Sequence, residues 1–323
     1  MPHRARALPQ AAVAAGFRLP KLVLMVSALI TLVLVSVLLL PSHAKPADSA
    51  AGHLRIATWN MCDVRQWNCQ DTGSSRQKIQ ALKQLADADG ARVIMLQEVC
   101  AGDLTAARKE LGKEWRSTFR EYAYRDVRGR YSAVRCTEQD QGAAGIAILA
   151  MSALSRVSLV PTQQPAVGLH RGILCATITD RDVRVCNAHL SLPGSDRAHP
   201  SWELRDDQLK SLVGAAGSRT VFGGDMNSAA PAAWNKESWI WPHDTYRRYR
   251  ECDQKSASSR SGRATHRTGH KVDYLFTDLP RTHCSVRDTG ASDHLALVMR
   301  VRTGCRVGRS AGAESTGGEV RCR

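Results

Sequence analysis

A chain of 323 residues, 43% of them apolar, has enough material for one large α/β domain or two small ones, which excludes a purely polar, unfolded chain. Its 45 basic against 30 acidic side chains give a formal charge of +15, so a polyanion or an anionic surface is the natural partner. Charge by itself names no substrate.

Residues 1–44 stand apart. Arg4, Arg6, Arg18 and Lys21 precede an uncharged run of 19 residues, Leu22 to Leu40, and small residues follow at Ser42 and Ala44. Basic flank, apolar core and small terminal positions match a secretory signal, while the length is also about enough to span a bilayer. The expectation is a cleaved signal or an uncleaved anchor, with the folded part outside the cytoplasm in either case. Ten cysteines agree with export: Cys62, Cys69, Cys100, Cys136, Cys175, Cys186, Cys252, Cys284, Cys305 and Cys322 are an even set, all after the apolar run. No C-x-x-C occurs, so disulfides explain them better than zinc.

After a linker at 45–53, HLRIATWN alternates as a first core strand ending at Asn60. Ser74 and Ser75 cap a helix with Ile79, Leu82, Leu85 and Ala86 on one face. ARVIMLQEV follows as a second strand delivering Glu98, so Asn60 and Glu98 close two parallel strands of a β-α-β unit and can meet. A helix from Asp103 to Leu111, a strand near Tyr122 to Val127, a polar loop to Gly142 and the strand GIAILA come next. ILCATI and VRVCNAHL flank a turn at Thr179 to Asp182, which sets Cys175 opposite Cys186 in a hairpin and ends at His189. A helix from Glu203 to Ala216, with Leu209, Leu212 and Val213 inward, leads into VFGGDMNS. There Gly223 and Gly224 permit close approach by a substrate or a neighbouring strand, and alternation sends Asp225 and Asn227 to one side. Trp234, Trp239 and Trp241 interrupt a loop, and KVDYLFT and HLALVMRV are the last strands. Residues 54–302 read as one catalytic domain, without internal repeat, and 303–323 as a flexible tail.

Polar groups thus stand at strand ends throughout: Asn60, Glu98, His189, Asp225, Asn227, Asp273, Asp293 and His294. TWN, LQEV, NAHL, GGDMN, KVDYLF and SDH, in this order, resemble the motifs of the endonuclease/exonuclease/phosphatase superfamily across nearly the whole domain. The resemblance implies a four-layer α/β sandwich, two packed mixed β-sheets flanked by helices, and hydrolysis of phosphate esters with Mg²⁺, or Mn²⁺ or Ca²⁺ in its place. It implies Asn60, Glu98 and Asp293 at the metal. His294 would be the base, oriented by Asp273, and a neutral imidazole near pH 7 suits that role. His189 and Asn227 would be donors to the non-bridging oxygens, and Asp225 would orient the water or assist the leaving group.

The departures narrow the subfamily. Ala143-Ala144 stands where abasic-site endonucleases carry Tyr-Ser, and Lys271-Val272 precedes Asp273 where inositol phosphatases carry Trp-Cys. Met226 replaces the more usual Phe. Between Arg247 and Lys271, eight basic residues face only Glu251 and Asp253, in a stretch that reads as a solvated loop. Arg260, Arg263 and Arg267 in it are expected to grip a nucleic-acid backbone without reading bases. The expectation is an exported phosphodiesterase acting on nucleic acid as a monomer, with possible membrane association through residues 22–40. A sphingomyelinase-type enzyme, touching lipid through Trp234, Trp239, Ile240 and Trp241, and a non-catalytic surface binding protein of the same fold are the alternatives.

Overall fold

The computed structural model describes residues 52–69, 71–137 and 141–304. The apolar run 22–40, Cys305, Cys322 and the tail from residue 305 lie outside the described residues. No helix among the described residues is long and apolar enough to cross a membrane.

In chain order the elements are β1 (His53–Asn60), α1 (Ser75–Asp87), β2 (Val93–Cys100), α2 (Ala101–Leu111), β3 (Arg116–Glu121), β4 (Ala123–Arg125), β5 (Tyr131–Ala133), β6 (Ala144–Ala150), β7 (Leu154–Val160) and β8 (Gly168–His170). There follow β9 (Gly172–Ile178), β10 (Val183–His189), α3 (Arg205–Ala216), β11 (Thr220–Asp225), α4 (Thr245–Arg248), β12 (Arg250–Glu251), β13 (Asp273–Thr277), β14 (Arg281–Arg287) and β15 (Ala296–Arg302). One six-stranded sheet has the order β14-β15-β1-β2-β6-β3, a second the order β12-β13-β11-β10-β9-β7, and β5-β4-β8 form a small third.

Period-two alternation builds the layers. Ile56, Met95 and Ile148 on one sheet and Ala176, Val185, Val221 and Leu275 on the other fill a shared interior. Their neighbours point the opposite way: Trp59, Ile94, Leu96 and Leu149 pack on α1 and α2 through Leu82, Leu85 and Leu104. Phe222, Phe276 and the Cys175–Cys186 bridge pack on α3 through Leu209 and Leu212. The result is helix, sheet, sheet, helix, the four layers expected. At one end of the interior a polar tie replaces apolar packing: Asn187 donates through Nδ2 to the carbonyls of Leu96 and Ala147, both at 2.8 Å, fastening the second sheet to the first.

Strand pairing places the polar strand ends side by side. β1 and β2 are parallel, with Asn60 opposite Gln97, one residue short of Glu98. β10 and β11 are parallel with His189 opposite Asp225, and antiparallel β13 sets Asp273 opposite Asp225 on its other flank. Two glycines make this row possible: a Cβ on Gly223 would collide with the Tyr274 carbonyl, and one on Gly224 with the Ala188 carbonyl. Both therefore serve the approach of neighbouring strands.

Several elements differ from expectation. The strand foreseen at 122–127 is only Ala123–Arg125, and β3, β7 and β14 were not foreseen. All three are sheet edges, where one strand flank is solvated and no apolar run is needed; β7 also carries a register shift between Ser155 and Ser158. The basic stretch after Arg247 is not all loop, since α4 ends at Arg248 and β12 pairs with β13. On α1 the inward position is taken by Lys78, while Ile79 is only partly buried.

Candidate active site

Asp225 is the hub. Its Oδ2 accepts a hydrogen bond from Asn60 Nδ2 at 3.1 Å and lies 3.4 Å from His189 Nε2 and 3.9 Å from His294 Nε2. Asn60 Nδ2 also donates to Glu98 Oε1 at 3.2 Å, so one amide joins two buried carboxylates. Glu98 does not simply end its strand: it sits inside β2 at a bulge, with φ +51°, where the register against β6 shifts between Leu96 and Val99. Bulges re-aim side chains, and an L-residue held at positive φ stores strain where function requires it. Burial pushes both Glu98 and Asp225 up from the usual carboxylate range, only partly opposed by Arg171 and His294.

His189 is buried and its basicity falls well below that of a free imidazole, first because of burial and then because Arg171 and His294 face it. It is neutral at pH 7, and a buried neighbour fixes which nitrogen carries the proton. Tyr122 Oη lies 2.7 Å from His189 Nδ1 and accepts the Glu98 backbone N–H at 3.2 Å. Burial, followed by the Glu98 charge, raises this phenol well above its ordinary value, so it stays protonated and donates to Nδ1. The imidazole proton is left on Nε2, aimed at the carboxylates.

His294 Nδ1 is 2.8 Å from Asp273 Oδ2, the orienting pair expected. Burial opposes the charged ring, but Asp273, Asp225 and Asp293 outweigh it and push His294 up to about 10. Asp293 Oδ2 lies 3.3 Å from His266 Nε2. Burial would raise it, yet His266 and His294 hold it below the usual range. Ser292 Oγ links the two sides, donating to the Asn60 carbonyl at 2.8 Å and accepting the His294 N–H at 3.0 Å.

Asn227 is not on the same side as Asp225 by alternation, because β11 stops at Asp225 and Asn227 turns to φ +48°. Its backbone N–H donates to Asp225 Oδ1 at 2.9 Å and its Nδ2 to the Leu190 carbonyl at 2.9 Å, tying the ends of β10 and β11. In the basic stretch, Arg263 is held by Asp253 at 2.7 Å and Arg260 lies over the Tyr246 ring at 4.3 Å. Arg267 is exposed, and its backbone N–H donates to the Asp293 carbonyl at 2.8 Å, placing it at the rim.

Three site residues escaped the sequence reading. Tyr122 and Arg171 come from the middle of the chain, where no strand-end motif marks them. Arg171 donates to the Leu190 carbonyl at 2.7 Å, and its positive charge acts on both Glu98 and His189. His266 lies within the basic stretch, where no strand-end motif marks it.

A divalent cation suits the Glu98 and Asp225 carboxylates, which are buried, adjacent and short of positive charge. Cys62 and Cys69 also border Glu98, but they form a disulfide and offer no thiolate. Acidic and histidine groups of metal-binding spacing also occur at Asp225, Asp273 and His294 and at His266, Asp293 and His294.

Residues 58–294 match the Endonuclease/Exonuclease/phosphatase family. Among solved structures the chain is similar to an endonuclease/exonuclease/phosphatase from Beutenbergia cavernae, with 18% identity, a TM-score of 0.55 and coverage of 78% of this chain and 72% of that one. It is similar to the human Nocturnin catalytic domain, with 15% identity, a TM-score of 0.52 and coverage of 77% and 93%. It is also similar to an AP endonuclease from Archaeoglobus fulgidus, with 17% identity, a TM-score of 0.50 and coverage of 76% and 98%. These identities carry the fold alone. No curated protein matches.

Proposed function

Because the chain belongs to the endonuclease/exonuclease/phosphatase family of phosphate-ester hydrolases, we propose that it is an exported, divalent-metal-dependent phosphodiesterase acting on nucleic acid. The observation that carries this reading is the junction at Asp225. One carboxylate faces an oriented histidine on β15's approach, a neutral histidine on β10 and, through Asn60, the buried Glu98.

The roles follow from the geometry. A cation held by the carboxylates would offset the charges that raise His294, and the neutral ring would then take the proton of the attacking water at Nε2, with Asp273 stabilising the imidazolium that results. His189 donates from Nε2 to a non-bridging oxygen, in the tautomer Tyr122 enforces. Arg171 adds positive charge beside that oxygen. Glu98 and Asp225, with Asn60 and Asp293 in support, would hold a Mg²⁺-type ion that would polarise the phosphoryl group and neutralise developing charge.

The charge of +15 and the exposed Arg267 at the rim favour a polyanionic substrate. Among the described residues four disulfides, Cys62–Cys69, Cys100–Cys136, Cys175–Cys186 and Cys252–Cys284, suit an oxidising compartment and support export. A lipid substrate is favoured by one observation: Trp234 and Trp239 are 72% and 63% exposed, although Ile240 and Trp241 are buried.

The test is hydrolysis of DNA, RNA, sphingomyelin and a phosphomonoester, with Mg²⁺ and in excess EDTA. Nucleic-acid cleavage that EDTA abolishes, and that Glu98→Gln lowers by at least about a hundredfold with the fold intact, is expected. Full turnover in EDTA refutes the metal, and preference for sphingomyelin refutes the nucleic acid.

A further inference from the structure

Beside the catalytic groups, a cavity of about 490 Å³ opens between the 3-10 turn at Arg65–Trp67 and the small sheet. Its size falls in the range of small-molecule sites. Trp67 and Tyr124 supply aromatic walls, Val134 and Leu169 an apolar floor, and Ser195 and Arg197 a polar edge. The Arg197 guanidinium lies 5.7 Å from the Tyr124 ring centroid. Ser195 Oγ is buried and has no hydrogen-bond partner in the protein.

The cavity is built rather than incidental. Asp196, next to Ser195, accepts the backbone N–H groups of Ala166 and Ala198 at 2.8 and 2.9 Å, and the Arg197 N–H donates to the Val167 carbonyl at 2.8 Å. These bonds pin the segments that carry Leu169 and Arg197. The cavity also adjoins the chemistry. The Trp67 ring is 5.7 Å from that of Tyr122, which orients His189, and 5.9 Å from the Arg171 guanidinium.

We propose that this cavity is a nucleobase subsite, taking the base of a nucleotide next to the scissile phosphate. The proposal rests on the nucleic-acid reading of the catalytic site and deepens it. A planar base stacks on Trp67 or Tyr124, and Arg171 and Arg197 supply positive charge for the attached phosphates. Stacking on aromatic rings accepts every base, so the subsite binds without reading sequence. An acyl chain would leave the arginines desolvated and unpaired with any anion.

The experiment compares kcat/KM on a single-stranded oligonucleotide with that on bis(4-nitrophenyl) phosphate, which carries no nucleobase, for the full chain and its variants. Tyr124→Leu keeps an apolar wall and removes the stacking face, and Trp67→Phe keeps a smaller ring. The ratio of the two values is expected to fall about tenfold in Tyr124→Leu and to return in Tyr124→Phe. Binding of a labelled oligonucleotide in EDTA should weaken by a similar factor. A ratio unchanged in Tyr124→Leu, or equal losses on both substrates, overturns the subsite while the nucleic-acid reading stands. A wild-type chain that cleaves the small diester but neither binds nor cleaves any oligonucleotide overturns that reading, and the subsite with it.

Discussion

Tyr122 shows how one hydroxyl sets the chemistry of another residue. Its proton occupies His189 Nδ1 at 2.7 Å, so Tyr122→Phe should lower turnover about tenfold without loss of fold, as the imidazole loses its fixed tautomer. Ring-nitrogen shifts of His189 measured by NMR would check it, and an unaltered tautomer would refute it. The His294 and Asp273 pair acts as a unit. His294→Ala should cost at least about a hundredfold and Asp273→Asn somewhat less, with the double variant little worse than His294→Ala. Fully additive losses would separate the two roles. The pH dependence of stability has a definite sign: a folded-state value of about 10 lies above the ordinary 6.5, so the stabilisation is complete below pH 6.5 and fades as pH rises toward 10. Denaturation in EDTA should therefore show the stability gap between wild type and His294→Ala narrowing over that interval.

At the scale of elements, the close approach of β10, β11 and β13 depends on Gly223 and Gly224. Gly224 has φ +127°, and a Cβ there meets the Ala188 backbone, which cannot move without breaking the β10–β11 pairing. Gly224→Ala should cost about 3 kcal/mol or more, read by urea denaturation. The loop around Asp196 has a different support. Burial would raise this carboxylate, but the backbone N–H groups of Ala166, Ala198, Val167 and His199 hold it down at about 2. Its contribution is thus present above about pH 4 and lost as pH falls toward 2. Asp196→Ala should expose the 165–199 region to protease at neutral pH, and an unchanged digestion pattern would refute the role. The basic stretch, too, divides by contact. Arg263→Ala should lower stability by freeing Asp253, whereas Arg267→Ala should flatten the salt dependence of nucleic-acid binding by about one unit of log-log slope.

At the scale of the molecule, the pairing of the first and last strands in one sheet brings together residues more than two hundred positions apart, as when Ser292 bonds the Asn60 carbonyl. Lys78 reinforces the same junction. Fully buried, it donates to the carbonyls of Met61 at 2.6 Å and Ala291 at 2.8 Å, bracing the loops that follow β1 and precede His294. The sequence by itself determined the strands with buried faces, since an apolar alternation has only one stable placement. It pointed to the Cys175–Cys186 pairing, because the hairpin sets the two residues opposite each other, and it placed the strand-end carboxylates and histidines. The edge strands β3, β7 and β14 were decided by the sheets they border, because a half-solvated strand carries no apolar signature of its own. Protonation was likewise decided in three dimensions: His294 is raised by three carboxylates and His189 lowered by burial and Arg171, and charges act through space rather than along the chain. For the same reason Tyr122, Arg171 and His266 took their places at the site only when the sheets closed around them.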